Sequence, residues 1–293
     1  VEYAFTHPIV KFRLYDPKYN TDIDELKDMD AEDQPQCFFI CAPTPSNDNG
    51  SVDSSIVETA VVKCLNYTDA MVIVKSTITP DVVNRLYASM NEEQKDRFAY
   101  NPEFLTEKNA KADFVGAKYH VIGGTPSAIM ETIDLYEIFS SCESNDYHRM
   151  TAYEASFVKY TINSFLSTKV TFFNQLYDLV NLYGCNYNTI VRAAGADDRV
   201  GMGHTRVPGF DGKRGFGGAC LPKDTAAFLH FSTHEHEDGG TISFDLLQKV
   251  LDINTSYRIQ YDLDEREKVN NITFVDFGAK NVNNGQTEEE LED

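Results

Sequence analysis

The ten residues Gly215-Phe216-Gly217-Gly218-Ala219-Cys220-Leu221-Pro222-Lys223-Asp224 set one thiol in a glycine-rich turn, with a cation and a carboxylate just downstream. Glycines around a side chain let backbone and substrate approach closely. Loop amides and a nearby cation favour thiolate over thiol, and the thiolate is the nucleophile. Cys220 is therefore the candidate covalent catalyst. Burial beside a tight turn is the commoner fate of a cysteine, and the length of this pattern argues against it. Lys159 and Asn163 stand four apart in a helical pattern, so they share a face and can donate to one oxyanion. The plain alternative is a surface lysine and an ordinary asparagine. Glu103 and Glu107 are also four apart, just past a strand pattern, where a base and a positioning carboxylate compete with an exposed acidic helix start. Asp224, four residues after Cys220, either orients Lys159 or a water, or caps a helix beginning at TAAFL.

These residues need a scaffold, and the first part of the chain reads as α/β. Strand patterns occupy 11–16, 37–45, 70–77, 98–104 and 119–124, with helical periodicity at 54–65 and 80–90. Short β-branched and aromatic runs separated by helix-length segments predict a Rossmann-like, doubly wound parallel sheet. Thr77 then falls at the carboxyl end of a parallel strand, where such sheets present ligands. Asp16 closes the 11–16 strand, the place of an acidic residue that binds ribose hydroxyls, or of a simple turn residue before Pro17. A GxGxxG loop would lie about 20 residues before that acid, ahead of Val1, so the chain reads as starting just after its phosphate-binding loop. From about 150 the texture becomes all-helical: 154–184 is one long apolar-periodic helix stopped at Gly184, followed by helices at 186–195, 225–233 and 242–260. Residues 270–280 read as a strand and turn opening a second α/β domain. The expected domains are 1–149, 150–262 and 263–293, the last ending in the acidic run TEEELED.

GFGGACLPKD resembles the catalytic-cysteine motif of the nucleotide-sugar 6-dehydrogenases. KSTITP from Lys75, NPEFLTE from Asn101 and KYTINSFLSTK from Lys159 match that family in its order, so the resemblance spans roughly residues 10 to 260. It implies NAD as cofactor, a central helical domain that forms a dimer interface, and a third domain almost wholly absent. It also implies a two-step, four-electron oxidation of a primary alcohol, in which Cys220 traps the aldehyde and a thioester is hydrolysed. The implied substrate is UDP-glucose, with GDP-mannose as the alternative sugar nucleotide. A non-catalytic nucleotide-sugar-binding or dimerisation module is the alternative from another class. Ala219 and the Lys223-Asp224 pair differ from the N-acetylmannosamine branch. By resemblance Glu103 is the general base, directly or through water, and Lys159 and Asn163 stabilise the oxyanion beside Asp224. Thr77 holds the catalytic water or meets nicotinamide. Asp16, Lys18, Pro43, Thr44, Ser76, Thr77 and Glu107 are the implied cofactor contacts. Phe104, Leu105, Glu107, Lys159, Asn163, Phe216 and Gly217 are the implied substrate contacts. Two departures touch the sugar loop: Lys108 stands where the family has glycine, and the family's arginine before the IGG turn is replaced around His120.

Composition narrows the classes further. The 293 residues are enough for two domains. The formal charge of −20, from 46 acidic and 26 basic residues, repels nucleic acid, and no basic stripe overrides it. Any anionic nucleotide site needs local cations; Arg199, Arg206 and Lys213 are candidates, with surface basicity the equal alternative. No apolar run is long enough to span a membrane, and no signal-peptide series opens the chain. A cytoplasmic protein without membrane partner is expected, acting as a homodimer or higher homo-oligomer. The six cysteines are scattered and contain no CxxC pair, which fits reduced thiols better than a disulfide framework. The spacing of His230, His234 and His236 could present metal ligands on one helical turn, but it adjoins the polar stretch EDGG, so a solvated helix end and no metal is expected.

Overall fold

In this computed structural model, residues 1–19, 21–30, 32–106, 109–233 and 242–274 are described. The chain divides into two compact units, one of residues 1–44 and 52–160, the other of residues 45–51 and everything from Thr161 onward.

The first unit is built on a five-stranded sheet in the order β1-β2-β3-β4-β5. The strands are β1 (Cys37–Ile40), β2 (Met71–Val74), β3 (Phe98–Tyr100), β4 (His120–Gly124) and β5 (Tyr147–Met150). Pairing is parallel throughout except between β3 and β4, which run antiparallel. Helices fill the crossovers: α1 (Ser55–Tyr67), α2 (Pro80–Ser89), α3 (Glu92–Asp96), α4 (Ala110–Val115) and α5 (Pro126–Phe139). Val72, Ile73 and Val74 of β2 have no solvent exposure. Strands covered on both faces read as continuous apolar runs, which is the MVIV pattern. Each such side chain contributes about 1.5–3 kcal/mol by leaving water. β5 has no buried residue, and His148 and Arg149 are exposed on its two faces, as suits a charged edge strand.

One expected strand does not form, one strand was not foreseen, and one pairing departs from the parallel-dominated sheet. No strand forms over 11–16. Phe12 and Leu14 are 46% and 59% exposed, and no sheet neighbour among the described residues takes their backbone groups. The chain turns at Asp16 instead, whose Oδ1 accepts from the Lys18 N–H at 2.8 Å and opens a 3-10 turn over Pro17–Tyr19. β5 went unpredicted because its polar face hides the strand signal. The sheet is mixed, since β4 reverses against β3.

The second unit is helical. α6 (Ala152–Leu182) starts in the first unit and continues into this one as a single 31-residue helix. Its start is set by reciprocal bonds of Thr151 and Glu154, a capping box. Its end is set at Gly184, with the Cys185 N–H reaching back to the Val180 carbonyl. α7 (Tyr187–Ala194), α8 (Leu221–Thr233), α9 (Asp245–Arg258) and α10 (Glu265–Val269) complete the unit. Phe173 and Val180 of α6 form a core with Tyr187, Val191 and Val207. On the same helix Phe165, Phe172 and Leu179, seven apart, are 63%, 60% and 53% exposed. Within the expected strand at 270–280, residues 270–274 form a turn and irregular chain; the remainder lies outside the described residues. Among the described residues no helix is long and apolar enough to cross a membrane.

Candidate active site

In the first unit the carboxyl ends of β1, β2 and β3 lie side by side, and a buried polar network fixes them. Lys75, just past β2, donates to Asn101 Oδ1 at 2.9 Å and to the Tyr136 hydroxyl at 3.3 Å. Tyr136 also donates to Asn101 Oδ1 at 2.8 Å, and Asn101 Nδ2 donates to the Val121 carbonyl at 2.7 Å. Burial lowers the Lys75 ammonium to about 8. Ser76 ties the next strand end across, its hydroxyl donating to the Ala42 carbonyl at 2.7 Å.

Glu103 leaves β3 two residues beyond Asn101, and the network therefore sets its position. Its carbonyl accepts from Lys159 Nζ at 2.5 Å, and its Oε1 stands 3.6 Å from the same ammonium. Its other carboxylate oxygen accepts from the Leu105 N–H at 2.7 Å, which fixes the turn. Lys159 is 4% exposed and lies over the Phe104 ring at 5.4 Å. The structure thus brings Glu103, Phe104, Leu105 and Lys159 together. Thr77 follows β2 and is half-buried; Thr44 is buried and Pro43 exposed past β1. Glu107 lies outside the described residues, as do Lys108, His234 and His236.

These strand ends form the edge at which doubly wound folds take dinucleotides. Tyr15 rests on Phe38 of β1 with ring centroids 6.3 Å apart, so Asp16 and Lys18 stand beside that sheet, on a turn rather than a strand end. The donor set suits the ribose and nicotinamide parts of NAD. The edge has no glycine-rich helix start among the described residues for its pyrophosphate.

In the second unit the chemistry gathers at the start of α8. That helix begins four residues before the expected 225, and the Asp224 N–H bonds the Cys220 carbonyl at 2.8 Å. Cys220 is therefore the residue at the helix mouth, with an exposed side chain, where the N-terminal amides favour an anion. Asp224 is no cap. It is 1% exposed inside the first turn, where its carboxylate accepts from Asn163 Nδ2 at 2.5 Å and from Lys223 Nζ at 2.6 Å. Ser167 and Thr225 share a hydroxyl bond of 2.7 Å one turn on. Asn163 sits one turn beyond Lys159 on α6, at its passage between the units.

The glycine turn before Cys220 is gripped from three helices. Asn174 Oδ1 of α6 accepts from the Gly215 N–H at 3.0 Å and from Arg214 Nε at 2.8 Å. Asn254 of α9 exchanges two bonds with the backbone of Phe216, at 2.7 and 2.9 Å. Glu267 of α10 accepts from the Gly218 N–H at 3.1 Å and from Arg258 at 2.5 Å. Phe216 and Gly217 are thus held within a turn; Phe216 is 3% exposed. Sequence reasoning missed this grip. Its signals were present as Asn254 and Arg258 four apart on one face, and as the capping pattern Asp264-x-x-Glu267. The three basic candidates are otherwise engaged: Arg199 bonds Asp197 at 2.6 Å, Arg206 lies 4.7 Å over the Phe210 ring, and Lys213 donates to the Asp262 carbonyl. Among the described residues no group of three or more His, Cys, Asp or Glu is disposed to hold a metal ion.

Comparison with known proteins places these two units in context. Residues 17–140 match the NAD binding domain of the UDP-glucose/GDP-mannose dehydrogenase family, and residues 153–256 match its central domain. The UDP-glucose 6-dehydrogenase AglM of Haloferax volcanii is 30% identical over 251 residues, covering 80% of this chain and 54% of the relative. A UDP-glucose 6-dehydrogenase of Rickettsia bellii is 32% identical over 229 residues, covering 76% of this chain and 48% of the relative. Among solved structures, a UDP-glucose dehydrogenase from Pyrobaculum islandicum superposes with a TM-score of 0.64 at 29% identity, covering 81% of this chain and 54% of that one. A GDP-mannose dehydrogenase from Pseudomonas aeruginosa superposes with a TM-score of 0.51 at 26% identity, covering 76% and 51%. The chain spans about half the length of the relatives it matches.

Proposed function

Because this chain belongs to the UDP-glucose/GDP-mannose dehydrogenase family, with an NAD-binding domain ahead of the central one, we propose that it oxidises the primary alcohol of a nucleotide sugar, UDP-glucose, to the acid. The observation that carries this reading is the thiol of Cys220 at the mouth of α8, above a buried Asn163–Asp224–Lys223 set. A binding module has no use for a nucleophile so placed.

NAD, when bound, supplies the hydride acceptor for both oxidations. The chain's own residues do the rest. Glu103, directly or through a water, takes the proton of the alcohol. The Lys159 ammonium and the Asn163 amide stabilise the oxygen as charge develops on it; removing one such donor costs roughly 10²–10³ in rate. Cys220 Sγ, as thiolate, adds to the aldehyde carbon, and the oxygen takes a proton back from Glu103 to become a hemithioacetal hydroxyl held by the same donors. In the second oxidation that hydroxyl proton passes to Glu103 again and the carbon becomes a thioester. Water then attacks it, the C–S bond breaks, and Sγ leaves as thiolate beside the α8 amides. Asp16, Lys18, Pro43, Thr44, Ser76 and Thr77 line the cofactor edge in this reading, with Thr77 close to the nicotinamide. The exposed stripe of Phe165, Phe172 and Leu179 is covered by a second copy of the chain.

The test is NADH formed per UDP-glucose consumed, with GDP-mannose run in parallel. Two NADH per sugar are expected. Cys220→Ser should abolish acid formation while leaving NAD binding intact, and Cys185→Ser should be silent. One NADH with free aldehyde, or acid still formed by Cys220→Ser, would refute the thioester route.

A further inference from the structure

We infer that Asn254, Arg258 and Glu267 are positioning residues for Cys220, a clamp on α9 and α10 that sets where the thiol stands at the mouth of α8. The inference rests on the reading of Cys220 as nucleophile.

The clamp is a chain of buried groups with little slack. Arg258 is 1% exposed and Glu267 has no exposure. The Arg258 guanidinium bonds Glu267 Oε1 at 2.5 Å and Asp211 Oδ2 at 2.7 Å, so it is held from both sides. The oxygen that takes the guanidinium also accepts the Gly218 N–H, two residues before Cys220. The other oxygen of Glu267 accepts from the Asp264 N–H at 2.9 Å, so the carboxylate is fixed by the cap of α10 as well. Asn254 is 2% exposed, and its side chain closes a two-bond ring on Phe216.

The turn is shaped to this grip. Gly215 has a φ of +72°, and a Cβ there would overlap Asn254 Oδ1. A Cβ at Gly217 would overlap the Arg258 guanidinium and the Glu267 carboxylate. Two glycines of the motif are therefore small because polar groups of α9 and α10 press against them. From Gly218 the chain has one intervening residue before Cys220, whose carbonyl takes the first bond of α8. Releasing Gly218 and Phe216 removes the α9 and α10 bonds on the turn nearest the thiol, and only the Asn174 grip at Gly215 remains of the three. A thiol that wanders from the helix mouth loses the stabilisation that the N-terminal amides give its thiolate.

The experiment compares iodoacetamide alkylation of Cys220 with that of the exposed Cys185 in the same chain, by mass spectrometry at neutral pH, for wild type, Asn254→Ala, Glu267→Ala and Glu267→Gln. Amide exchange is followed by NMR on the same samples. The Cys220-to-Cys185 rate ratio should fall about two- to fivefold in both alanine variants, the worth of a helix N-terminus to an anion. Exchange should quicken at Phe216 in the first and at Gly218 in the second. Glu267→Gln keeps an acceptor oxygen for Gly218 and should restore the wild-type ratio. Asn254→Ala leaves no buried charge unpaired, so it reports even where Glu267→Ala folds poorly. Faster exchange with an unchanged ratio would overturn the inference. Protection lost along α6 as well in Asn254→Ala would make that residue a general stability element and overturn it too. A wild-type Cys220 no faster than Cys185 would instead sink the nucleophile reading, while the clamp is judged by the change between variants.

Discussion

Replacing Lys75 by methionine should stabilise the protein near neutral pH and remove one component of its pH dependence. Lys75 is 7% exposed, between the Phe114 and Tyr136 rings at 5.2 and 5.9 Å. Burial is the main cause that lowers its ammonium from 10.5 to about 8; Cys41, Glu103 and Cys142 pull the other way. The unfolded chain therefore holds one more proton than the folded chain between pH 8 and 10.5, and stability rises with pH across that window. Below pH 8 the cost of the buried charge is present in full, about 3 kcal/mol. Methionine matches the stem, and Asn101 Oδ1 keeps the Tyr136 hydroxyl at 2.8 Å. The variant loses the Lys75–Asn101 bond, worth roughly 1.5–3 kcal/mol to a charged donor, which offsets part of the gain. The slope is thus a sharper test than the sign at one pH. Urea unfolding at pH 7 and pH 10 should show the wild type gaining about 2–3 kcal/mol on Lys75→Met, with equal m-values. Parallel stability curves for the two proteins would refute the claim that this ammonium is charged and desolvated in the fold.

His120 lies against Tyr136 and Tyr147, and burial, then Lys75, lowers its imidazole to about 4. The folded chain stays neutral there while the unfolded one protonates near 6.5, so wild type should lose up to about 3 kcal/mol relative to His120→Phe as pH falls from 6.5 to 4; equal acid unfolding would contradict this. Asp224→Ala removes the buried carboxylate that accepts from both Asn163 and Lys223 and should cost about 3–5 kcal/mol in denaturant unfolding. Its effect and that of Lys223→Met should fall short of adding in the double variant, and additive losses would show the pair to be uncoupled.

The sequence made the central scaffold legible where one signal dominated. MVIV and CFFI are apolar on both faces, and the 31-residue α6 carries both its capping box and its glycine stop. Periodicity misled where pairing decides the outcome. KFRLYD has the alternation of a strand, yet alternation cannot supply a neighbour for its backbone, and the chain caps a turn at Asp16 instead. YHRM has a neighbour, β4, and forms a strand despite its polar face. Of the candidate site, the residues with reactive side chains were singled out from the sequence because few roles suit a thiol among glycines or a lysine and an amide on one helical face. Lys75, Asn101, Tyr136, Asn254, Arg258 and Glu267 were not, since a buried polar group differs from a surface one only in what surrounds it.

That difference explains why the two halves are built alike. The proposed base and the proposed nucleophile both stand just off the end of an element: Glu103 beyond β3, Cys220 before α8. A turn alone would let either side chain drift by more than the fraction of an ångström that group transfer tolerates. Apolar packing cannot aim such a turn, because it is non-directional. Hydrogen bonds from buried partners can, and in both halves a buried cation braces the side chain that holds the backbone. Lys75 braces Asn101, which fixes β3 through the Val121 carbonyl, and Arg258 braces Glu267, which holds Gly218. Burying a lysine or an arginine costs stability that an apolar residue would not. The structure retains both beneath the turns that need direction, and in each the cation sits one group removed from the turn it steadies.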